Sequence, residues 1–404
     1  MTRAETLTPL VAFEATRPFQ FRQNNVSATQ RGRPGLYLTN SAPFARSVLA
    51  NGAGPLRVVD GKVRLPCLPP ARWAEESFRG RRVLFLLPSE ALGSNVCTLL
   101  FLRAFRDHHK PRQMSVFCAR SAADIYALDR EIRCFELWLP REEVDRHDVL
   151  IDLGQLESRR DVDVWPVEME AELLAAFALP PSRAYPPEAR PLPGGRRPRI
   201  GVFPLASSPL RTLPVAVTET LCRALAPEGD VLLSLNDLQQ QGRLYLERLG
   251  TLPETVRVTR GAESIGGLLR TLRGCDYAVF ADSGPAHMSK LFATPGLAVY
   301  TAAPGEVLQG RFTNLARWTV DWEGPHCKAP CGLAKLRRTV DGAVGCMGSL
   351  GVPLAALPTT AQASDAAAVA RLMDAPVPCV AALAEQRDAL AAAVLADLAA
   401  RRGM

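Results

Sequence analysis

The stretch FADSGPAHMSKLFATPGLAVYT (280–301) combines the end of an apolar strand with the start of a small apolar helix. Asp282 or Ser283 is of the type that caps a helix, and the Gly-Pro that follows suits a helix start. The first N–H groups of a helix, together with the positive end of its dipole, favour an anion. His287 and Lys290 add hydrogen-bond donors one turn further on. These residue types in this order are suited to binding an anion such as a phosphate.

A second donor-rich loop, LASSPLRTLP (205–214), follows an apolar run and precedes a helix-like segment. Ser207 and Ser208 offer hydroxyl groups, and Arg211 offers a guanidinium that can donate two parallel hydrogen bonds to a phosphate. Each loop alone is better explained as a capped or solvated turn. Two such loops at one edge of a sheet, however, suit a diphosphate. The glycine-rich dinucleotide fingerprint and the Walker pattern are both absent from the sequence.

Apolar runs alternate with helix-like segments on both sides of a Pro-rich stretch, which predicts an α/β fold with parallel sheets covered by helices. The strand-like runs are RVLFLL (82–87), MSVFCA (114–119), CFELWL (134–139), HDVLIDLG (147–154), IGVFPL (200–205), DVLLSL (230–235), TVRVT (255–259), YAVFAD (277–282) and GLAVYTAA (296–303). Ligands of open α/β sheets bind beyond the carboxyl ends of the strands. Both donor-rich loops are at such ends, and two domains of this kind are expected to face a cleft.

Composition and pattern divide the chain into five predicted segments. They are a small β-rich N-terminal extension (1–78), a first Rossmann-like domain (79–183), a Pro/Gly/Arg-rich linker (184–199), a second Rossmann-like domain (200–350) and an Ala-rich helical tail (351–404).

Two local patterns outside the Rossmann-like domains give further predictions. The segment LRVVDGKVRL (56–65) has Asp-Gly between two Val-rich arms, which is typical of a β-hairpin. In the tail, Leu383, Leu390, Val394 and Leu398 fall on roughly one helix face, which indicates packing against a domain rather than a coiled coil.

Charge and cysteine content limit the function classes. The chain has 404 residues and a formal net charge of +7, with arginines dispersed and few aromatic residues, which does not suit a nucleic-acid reader. This charge suits an anionic small molecule or the surface of an anionic membrane. No apolar run is long enough to span a bilayer and no signal peptide is visible, so a cytoplasmic location is expected. Cys97, Cys222 and Cys275 lie in apolar runs and are expected to be reduced core residues.

Over residues 82–350 the sequence resembles glycosyltransferase family 9, the bacterial glycosyltransferases typified by the ADP-heptose lipopolysaccharide heptosyltransferases. The most specific element is DSGPAH, which is similar to that family's Asp-Thr-Gly, two residues and His, between a strand and a small-residue helix. Weaker resemblances are FPLASSPLRTLPVAVTETL (203–221), with Arg211 where Lys is more usual, ALGSNVCTLLFLRAF (91–105), HDVLIDLG (147–154) and the Cys-containing stretch CKAPC…GCM (327–347).

The resemblance implies a GT-B fold, in which two Rossmann-like domains face a cleft, and transfer of a sugar with inversion. The second domain would bind a nucleotide-diphosphate sugar of the ADP-heptose type, and the first would present a lipopolysaccharide or other glycan acceptor. The implied donor-site residues are Ser207, Ser208, Arg211, Asp282, Ser283, Gly284 and His287. No metal or resident cofactor is expected, because Arg, His and helix N–H groups can neutralise the leaving diphosphate. Peripheral contact with the inner membrane surface is compatible with such an acceptor.

The sequence departs from the family in the first glycine-rich loop, where Gly-Asp places the general base. Here Ser94 follows Gly93, and a serine does not accept a proton at neutral pH without help. Glu90 is the expected substitute, since Asp107 lies a helix away and Asp152 ends a more distant strand. The alternative is a non-catalytic relative that binds sugar nucleotides, which the change at Ser94 favours. A phosphate-binding enzyme of another kind, such as a sugar epimerase, is disfavoured by the two-domain pattern.

The cysteines near the end of the second domain leave two interpretations open. Cys327, Cys331 and Cys346 follow His326, so a Cys3His metal site is chemically possible. The second half of a paired knuckle is missing, and a loop of reduced thiols explains the pattern equally well. No metal ligand is therefore assigned.

Overall fold

A computed structural model of the chain shows two compact units. The first contains Met1–Asp161, Met169–Ala184 and Glu263–Gly266, and the second contains Val162–Glu168, Tyr185–Ala262 and Gly267–Met404. The structure describes residues 10–21, 30–39, 44, 55–87, 91–157, 168–235, 240–260, 264–324, 328–331, 336–337, 360–361 and 366–403.

Ten strands and five α-helices are described in the first unit. The strands are β1 (Leu10–Ala15), β2 (Phe19–Phe21), β3 (Gln30–Gly32), β4 (Gly35–Thr39), β5 (Leu56–Val63), β6 (Arg82–Leu87), β7 (Gln113–Cys118), β8 (Ile132–Glu136), β9 (Leu139–Pro140) and β10 (Val149–Asp152). The helices are α1 (Leu92–His109), α2 (Ala123–Tyr126), α3 (Arg141–Asp145), α4 (Gly154–Glu157) and α5 (Met169–Ala176).

The first unit contains a parallel sheet of order β10-β6-β7-β8 and an antiparallel sheet of order β5-β1-β4-β9. The continuous apolar run of β6 is buried on both faces, as expected for a central parallel strand. Strand β9 follows β8 in the sequence but belongs to the antiparallel sheet, where it pairs with β4. One apolar core also combines Leu10 and Leu38 with Leu84, Leu86 and Leu150. Strands β1, β4 and β5 therefore share a sheet with β9, and residues of β1 and β4 share a core with β6 and β10.

Two predicted elements of the first unit are corrected. The expected hairpin at 56–65 is one strand, β5, which runs through Asp60 and Gly61 and pairs along β1 with register shifts beside Ala12. The Asp-Gly pair is accommodated in an irregular strand rather than in a turn. The run 134–139 is split between β8 and β9, because Leu137 has a left-handed backbone with φ +63°.

Ten strands and eight α-helices are described for the second unit. The first two residues of the helix Ile265–Arg273, Ile265 and Gly266, are counted in the first unit. The strands are β11 (Arg199–Phe203), β12 (Asp230–Leu235), β13 (Arg257–Arg260), β14 (Tyr277–Ala281), β15 (Gly296–Tyr300), β16 (Leu315–Thr319), β17 (Trp322–Glu323), β18 (Lys328–Ala329), β19 (Leu336–Arg337) and β20 (Thr360–Ala361). The helices are α6 (Val215–Leu225), α7 (Gln240–Arg248), α8 (Ile265–Arg273), α9 (Gly284–Phe292), α10 (Gly305–Gln309), α11 (Ala366–Asp374), α12 (Pro378–Glu385) and α13 (Arg387–Arg402).

A six-stranded parallel sheet of order β13-β12-β11-β14-β15-β16 forms the centre of the second unit. With the parallel sheet of the first unit, it confirms the predicted α/β class. Leu383, Leu390, Val394 and Leu398 belong to the core of this sheet, so the helical tail packs as expected. Among the described residues, no helix is both long and apolar enough to cross a membrane.

The segment predicted as a linker, 184–199, is hydrogen-bonded to the second unit. The Arg190 N–H donates to the carbonyl oxygen of Ala293 at 2.8 Å, and the Thr313 N–H donates to the carbonyl oxygen of Pro187 at 2.9 Å. This segment therefore follows the surface of the second unit from Tyr185 onward.

Candidate functional site

The two donor-rich loops follow strands that are direct neighbours. β11 and β14 pair in parallel, with Phe203 opposite Phe280 at their carboxyl ends. The loop 204–214 leaves the end of β11, and the Asp-Ser-Gly turn leaves the end of β14. The order of the strands thus brings together the residues that the sequence places about 75 positions apart.

Internal hydrogen bonds give the loop 204–214 a fixed shape. The Leu213 N–H donates to the carbonyl oxygen of Pro204 at 2.9 Å, and the Arg211 N–H donates to the carbonyl oxygen of Ser208 at 3.0 Å. The Ser208 hydroxyl oxygen accepts the Leu210 N–H at 3.3 Å, and Ser208 is fully buried. Ser208 therefore shapes the loop, and its contact with phosphate stays a prediction.

Three residues outside the predicted set hold this loop in place. The Thr212 hydroxyl oxygen accepts the Ala206 N–H at 3.2 Å and the Gln241 side-chain amide at 2.5 Å. The Thr301 hydroxyl donates to the carbonyl oxygen of Leu210 at 2.5 Å. Gln241 lies in α7 and Thr301 follows β15, so only the folded sheet shows that they act on this loop.

Arg211 connects the two loops. Its Nη1 donates to the carbonyl oxygen of Asp282 at 3.3 Å and lies 3.5 Å from the Asp282 carboxylate. Its Nη2 donates to the hydroxyl of Ser207 at 2.7 Å, and Ser207 is exposed. The exposed fractions of the Arg211 and Asp282 side chains are 11% and 2%. Three of the predicted donor-site residues are therefore in contact.

The start of α9 has no side-chain cap. Ser283 occupies the N-cap position, but its hydroxyl donates back to the carbonyl oxygen of Ala281 at 3.2 Å. The expected capping hydrogen bond from Asp282 or Ser283 is therefore not formed. Pro285 has no N–H and the His287 N–H donates to the carbonyl oxygen of Ser283 at 3.3 Å, so the N–H groups of Gly284 and Ala286 are those of the first turn without a partner inside the helix. The uncapped helix start is suited to an anion.

Three buried polar atoms at this site have no hydrogen-bond partner. They are Nε of Arg211, Oδ2 of Asp282 and Nδ1 of His287. Buried polar atoms are usually paired, so unpaired ones at a strand end indicate a place for a bound group. Together these three offer a cationic donor, an acceptor and an imidazole nitrogen.

The electrostatics of the site are set by burial and by two cations. Burial raises the pKa of the Asp282 carboxyl, and the Arg211 guanidinium opposes this effect. Burial lowers the pKa of His287 well below its ordinary value, and the charges of Lys290 and Arg211 lower it further. Tyr300, at the end of β15, has its pKa raised by burial and then by the Asp282 carboxylate. Burial and these two charges thus favour the neutral form of the His287 imidazole.

The expectation that Lys290 adds a donor to the anion site is wrong. Its side chain is buried, and its Nζ donates to the Glu168 carboxylate at 3.1 Å and to the carbonyl oxygen of Leu308 at 2.9 Å. The ammonium is therefore occupied inside the second unit.

The predicted base residues belong to the first unit. Ser94 lies half-buried in the first turn of α1, and Glu90 lies outside the described residues. Asp152 ends β10, which pairs directly with β6, so its strand is not the distant one expected. The carboxylate of Asp152 is buried and accepts the Gly154 N–H at 2.9 Å. Asp107 accepts a hydrogen bond from the Ser182 hydroxyl at 3.0 Å.

The cysteines of the apolar runs are core residues, as predicted. Cys97, Cys222 and Cys275 are buried, and burial raises the pKa of the Cys222 and Cys275 thiols to about 12. In the possible metal motif only Cys331 is described; His326, Cys327 and Cys346 lie outside the described residues. Within the described part of the chain, no group of three or more acidic, His or Cys side chains could hold a metal ion.

Comparisons with known proteins give solved structures only. No family model and no curated protein matches the sequence. A glycosyltransferase of family 9 from Veillonella parvula DSM 2008 aligns with a TM-score of 0.45 and 11% identity, over 60% of this chain and 87% of that one. E. coli ADP-heptose LPS heptosyltransferase II aligns with a TM-score of 0.43 and 16% identity, over 59% of this chain and 90% of that one.

A third similar structure is the iron-containing dodecameric glycosyltransferase TibC from enterotoxigenic E. coli H10407. It aligns with a TM-score of 0.44 and 13% identity, over 73% of this chain and 72% of that one. The structures to which this chain is similar thus include the family that its motifs resemble. At this level of similarity they carry no argument about its activity, which has to be argued from its own residues.

Proposed function

We propose that this protein is an inverting glycosyltransferase that moves a heptose-like sugar from a nucleotide-diphosphate donor to a lipopolysaccharide or other glycan acceptor. The observation that carries the proposal is the cluster of three unpartnered buried atoms on Arg211, Asp282 and His287, at the adjoining ends of β11 and β14. A sugar diphosphate has the complementary groups, since its phosphates accept hydrogen bonds and its sugar hydroxyls donate them.

The roles of the donor-site residues follow from their positions. The Arg211 guanidinium and the free N–H groups at the start of α9 would hold the diphosphate and stabilise its charge as it leaves. The Asp282 carboxylate would accept a sugar hydroxyl through Oδ2, the oxygen that has no partner. Ser207, exposed and already hydrogen-bonded to Arg211, would complete the phosphate contacts.

The wider assignments belong to the same proposal. They are a GT-B arrangement of the two units, acceptor binding by the first unit, a cytoplasmic location and peripheral contact with the inner membrane surface. The net charge of +7 supports contact with anionic lipids or an anionic glycolipid acceptor.

A second candidate function is supported by Ser94. If neither Glu90 nor another carboxylate acts as the base in place of Ser94, the chain binds a nucleotide sugar without transferring it. Titration with a panel of nucleotide sugars, followed by turnover with added acceptor, separates the possibilities. Absence of binding to every donor in the panel contradicts both functions, and binding without transfer supports the second.

A further inference from the structure

Tyr300 is a nearly buried tyrosine whose hydroxyl has no partner within the described part of the chain. It is the last residue of β15 and is 2% exposed. Buried tyrosines usually direct their hydroxyl to a hydrogen-bond partner. None of the described residues forms such a bond with Tyr300, and its oxygen is not one of the unpaired atoms that are completely enclosed. The hydroxyl is therefore within reach of a ligand, whereas the ring is packed inside the protein.

Close packing fixes the ring of Tyr300. A Cβ placed on Gly305, the first residue of α10, would lie 2.6 Å from Cδ2 and 2.8 Å from Cε2 of this ring. The absence of a side chain at Gly305 therefore leaves room for the edge of the ring. A polar group on a rigid side chain binds a ligand with little loss of conformational entropy. The hydroxyl is thus held in one position before a ligand binds.

Contacts of the neighbouring residues place Tyr300 at the candidate site. Val299 pairs with the last residue of β14, so Tyr300 and Asp282 leave adjacent strands at the same level. The Thr301 hydroxyl donates to the carbonyl oxygen of Leu210 at 2.5 Å. The residues on either side of Tyr300 therefore contact the strand and the loop that carry the candidate site.

The surroundings of Tyr300 favour a sugar hydroxyl over a phosphate as its partner. The strand order β11-β14-β15 puts the loop of Arg211 and Tyr300 on opposite sides of the strand that ends before Asp282. Oδ2 of Asp282 is buried without a partner, and a carboxylate repels a phosphate. Burial, and then the Asp282 carboxylate, raise the pKa of Tyr300, so its hydroxyl stays protonated at neutral pH. A carboxylate that accepts and a phenol that donates or accepts are complementary to the hydroxyl groups of a carbohydrate.

We propose that the Tyr300 hydroxyl is a specificity determinant that binds a sugar hydroxyl of the nucleotide-diphosphate donor, next to the hydroxyl that Asp282 accepts. This inference rests on the proposed function for the class of the ligand. The transferred sugar and the ribose of the nucleotide carry the same kind of hydroxyl group, and comparison of a nucleotide sugar with its nucleoside diphosphate distinguishes them. The contact is a hydrogen bond, and no covalent bond is made or broken.

Tyr300→Phe removes only the hydroxyl, because phenylalanine keeps the ring against Gly305. Calorimetry with the full chain measures the binding of ADP-glucose and UDP-glucose, of ADP and UDP, and of pyrophosphate. The variant is expected to bind a nucleotide sugar about 2- to 10-fold more weakly, the usual effect of one hydrogen bond. Unchanged affinity for the nucleoside diphosphate supports a contact with the transferred sugar, and equal weakening of both supports a contact with the ribose.

Three other outcomes overturn the inference. The first is an unchanged affinity of Tyr300→Phe for a nucleotide sugar that the wild type binds, which leaves the proposed function standing. The second is an equal weakening of pyrophosphate binding, which assigns the hydroxyl to a phosphate. The third is a wild-type protein that binds neither nucleotide sugar, which also contradicts the proposed function.

Tyr277→Phe is the matched control. Tyr277 begins β14, the strand next to β15, and its hydroxyl donates to the Asp397 carboxylate at 2.8 Å. This variant is expected to lower the thermal midpoint and to leave ligand binding unchanged, because it loses a hydrogen bond within the protein. Tyr300→Phe is expected to show the reverse. Equal weakening of binding by both variants would show that loss of a hydroxyl acts through the stability of the sheet, and it overturns the inference.

Discussion

Arg211 and Asp282, 71 residues apart in sequence, are joined through one guanidinium nitrogen, which donates to the Asp282 carbonyl oxygen at 3.3 Å and lies 3.5 Å from its carboxylate. The pair links the loop after β11 to the loop after β14. The contact with the carboxylate is long, and the opposite carboxylate oxygen and Nε of Arg211 remain unpartnered. A ligand can therefore take up hydrogen bonds from both residues without first breaking a short ion pair.

Arg211→Ala is expected to weaken nucleotide-sugar binding by about 1.5–3 kcal/mol, the usual contribution of a hydrogen bond to a charged group. Arg211→Ala is also expected to lower the thermal midpoint, because the substitution leaves the buried Asp282 carboxylate without its cation. Calorimetry and thermal unfolding at pH 7 measure both effects. Unchanged binding in a folded Arg211→Ala protein would place the donor site elsewhere.

The matched control is the double variant Arg211→Ala/Asp282→Asn. The pKa of Asp282 is raised in the folded protein, so its contribution to stability is present at low pH and is lost as the pH rises through the folded-state pKa. Removing Arg211 takes away the cation beside the Asp282 carboxylate, so more stability is lost at neutral pH. Asp282→Asn removes the ionisable group, and with it this pH-dependent loss of stability. The double variant is therefore expected to unfold at a higher temperature than Arg211→Ala at pH 7, with little difference between them in acid.

Local patterns predicted the elements of this fold that are defined by burial alone. The strands 82–87 and 230–235 were predicted to the residue, because uninterrupted apolar runs of this length form buried parallel strands. The prediction of a hairpin at 56–65 was wrong, because the segment contains a single strand. Asp-Gly favours a turn locally, but pairing along β1 keeps the segment extended.

The candidate site was predictable only in part. Ser207, Arg211 and Asp282 could be grouped because loops at the carboxyl ends of parallel strands share one edge of the sheet. The pairing of Lys290 with Glu168, 122 residues apart, has no local signal. The neighbouring positions of β6 and β10 also depend on strand order, which the apolar runs do not encode. Long-range pairing therefore accounts for the differences.

His109 is expected to make the first unit sensitive to acid. Its ring packs against Phe78 and Phe105, its Nε2 is buried without a partner, and burial followed by the charge of His108 lowers its pKa from 6.5 to about 4. Since the folded-state pKa is lowered, its contribution to stability is present above pH 6.5 and is lost as the pH falls toward 4. His109→Phe should remove up to about 2 kcal/mol of this loss, allowing for partial exposure.

Hydrogen exchange of the amides of α1 at pH 7 and pH 4.5 measures this effect in the full chain. Equal acid sensitivity in wild type and His109→Phe would show that other groups are responsible, and His147 is the first to examine. It is buried, its Nε2 lies 2.9 Å from the Ser115 hydroxyl oxygen, and burial lowers its pKa.

Leu390→Ala is expected to destabilise the second unit by about 2–5 kcal/mol, the usual cost of a cavity in a core. Leu390 is fully buried in α13 and belongs to the same apolar core as Val217, Leu221 and Leu297. Ala392→Ser, at an exposed position of the same helix, is the control and should change the free energy of unfolding by less than about 0.5 kcal/mol. Similar midpoints for the two variants in denaturant would show that the tail helix is dispensable to the core.

The most demanding prediction concerns the base that deprotonates the acceptor hydroxyl, a step worth roughly 10²–10⁴ in rate. In the sequence Glu90 directly precedes Ala91, the N-cap of α1, and Ser94 lies in the first turn of that helix. Glu90→Gln is expected to abolish turnover and keep donor affinity, whereas Ser94→Asp should preserve or raise turnover. Asp152→Asn is the matched comparison, because Asp152 ends the adjacent strand but is buried and hydrogen-bonded to Gly154. Loss of turnover in Asp152→Asn with normal turnover in Glu90→Gln would transfer the base role to Asp152. Absence of transfer in both the wild type and Ser94→Asp, with donor binding intact, would establish a binding protein instead.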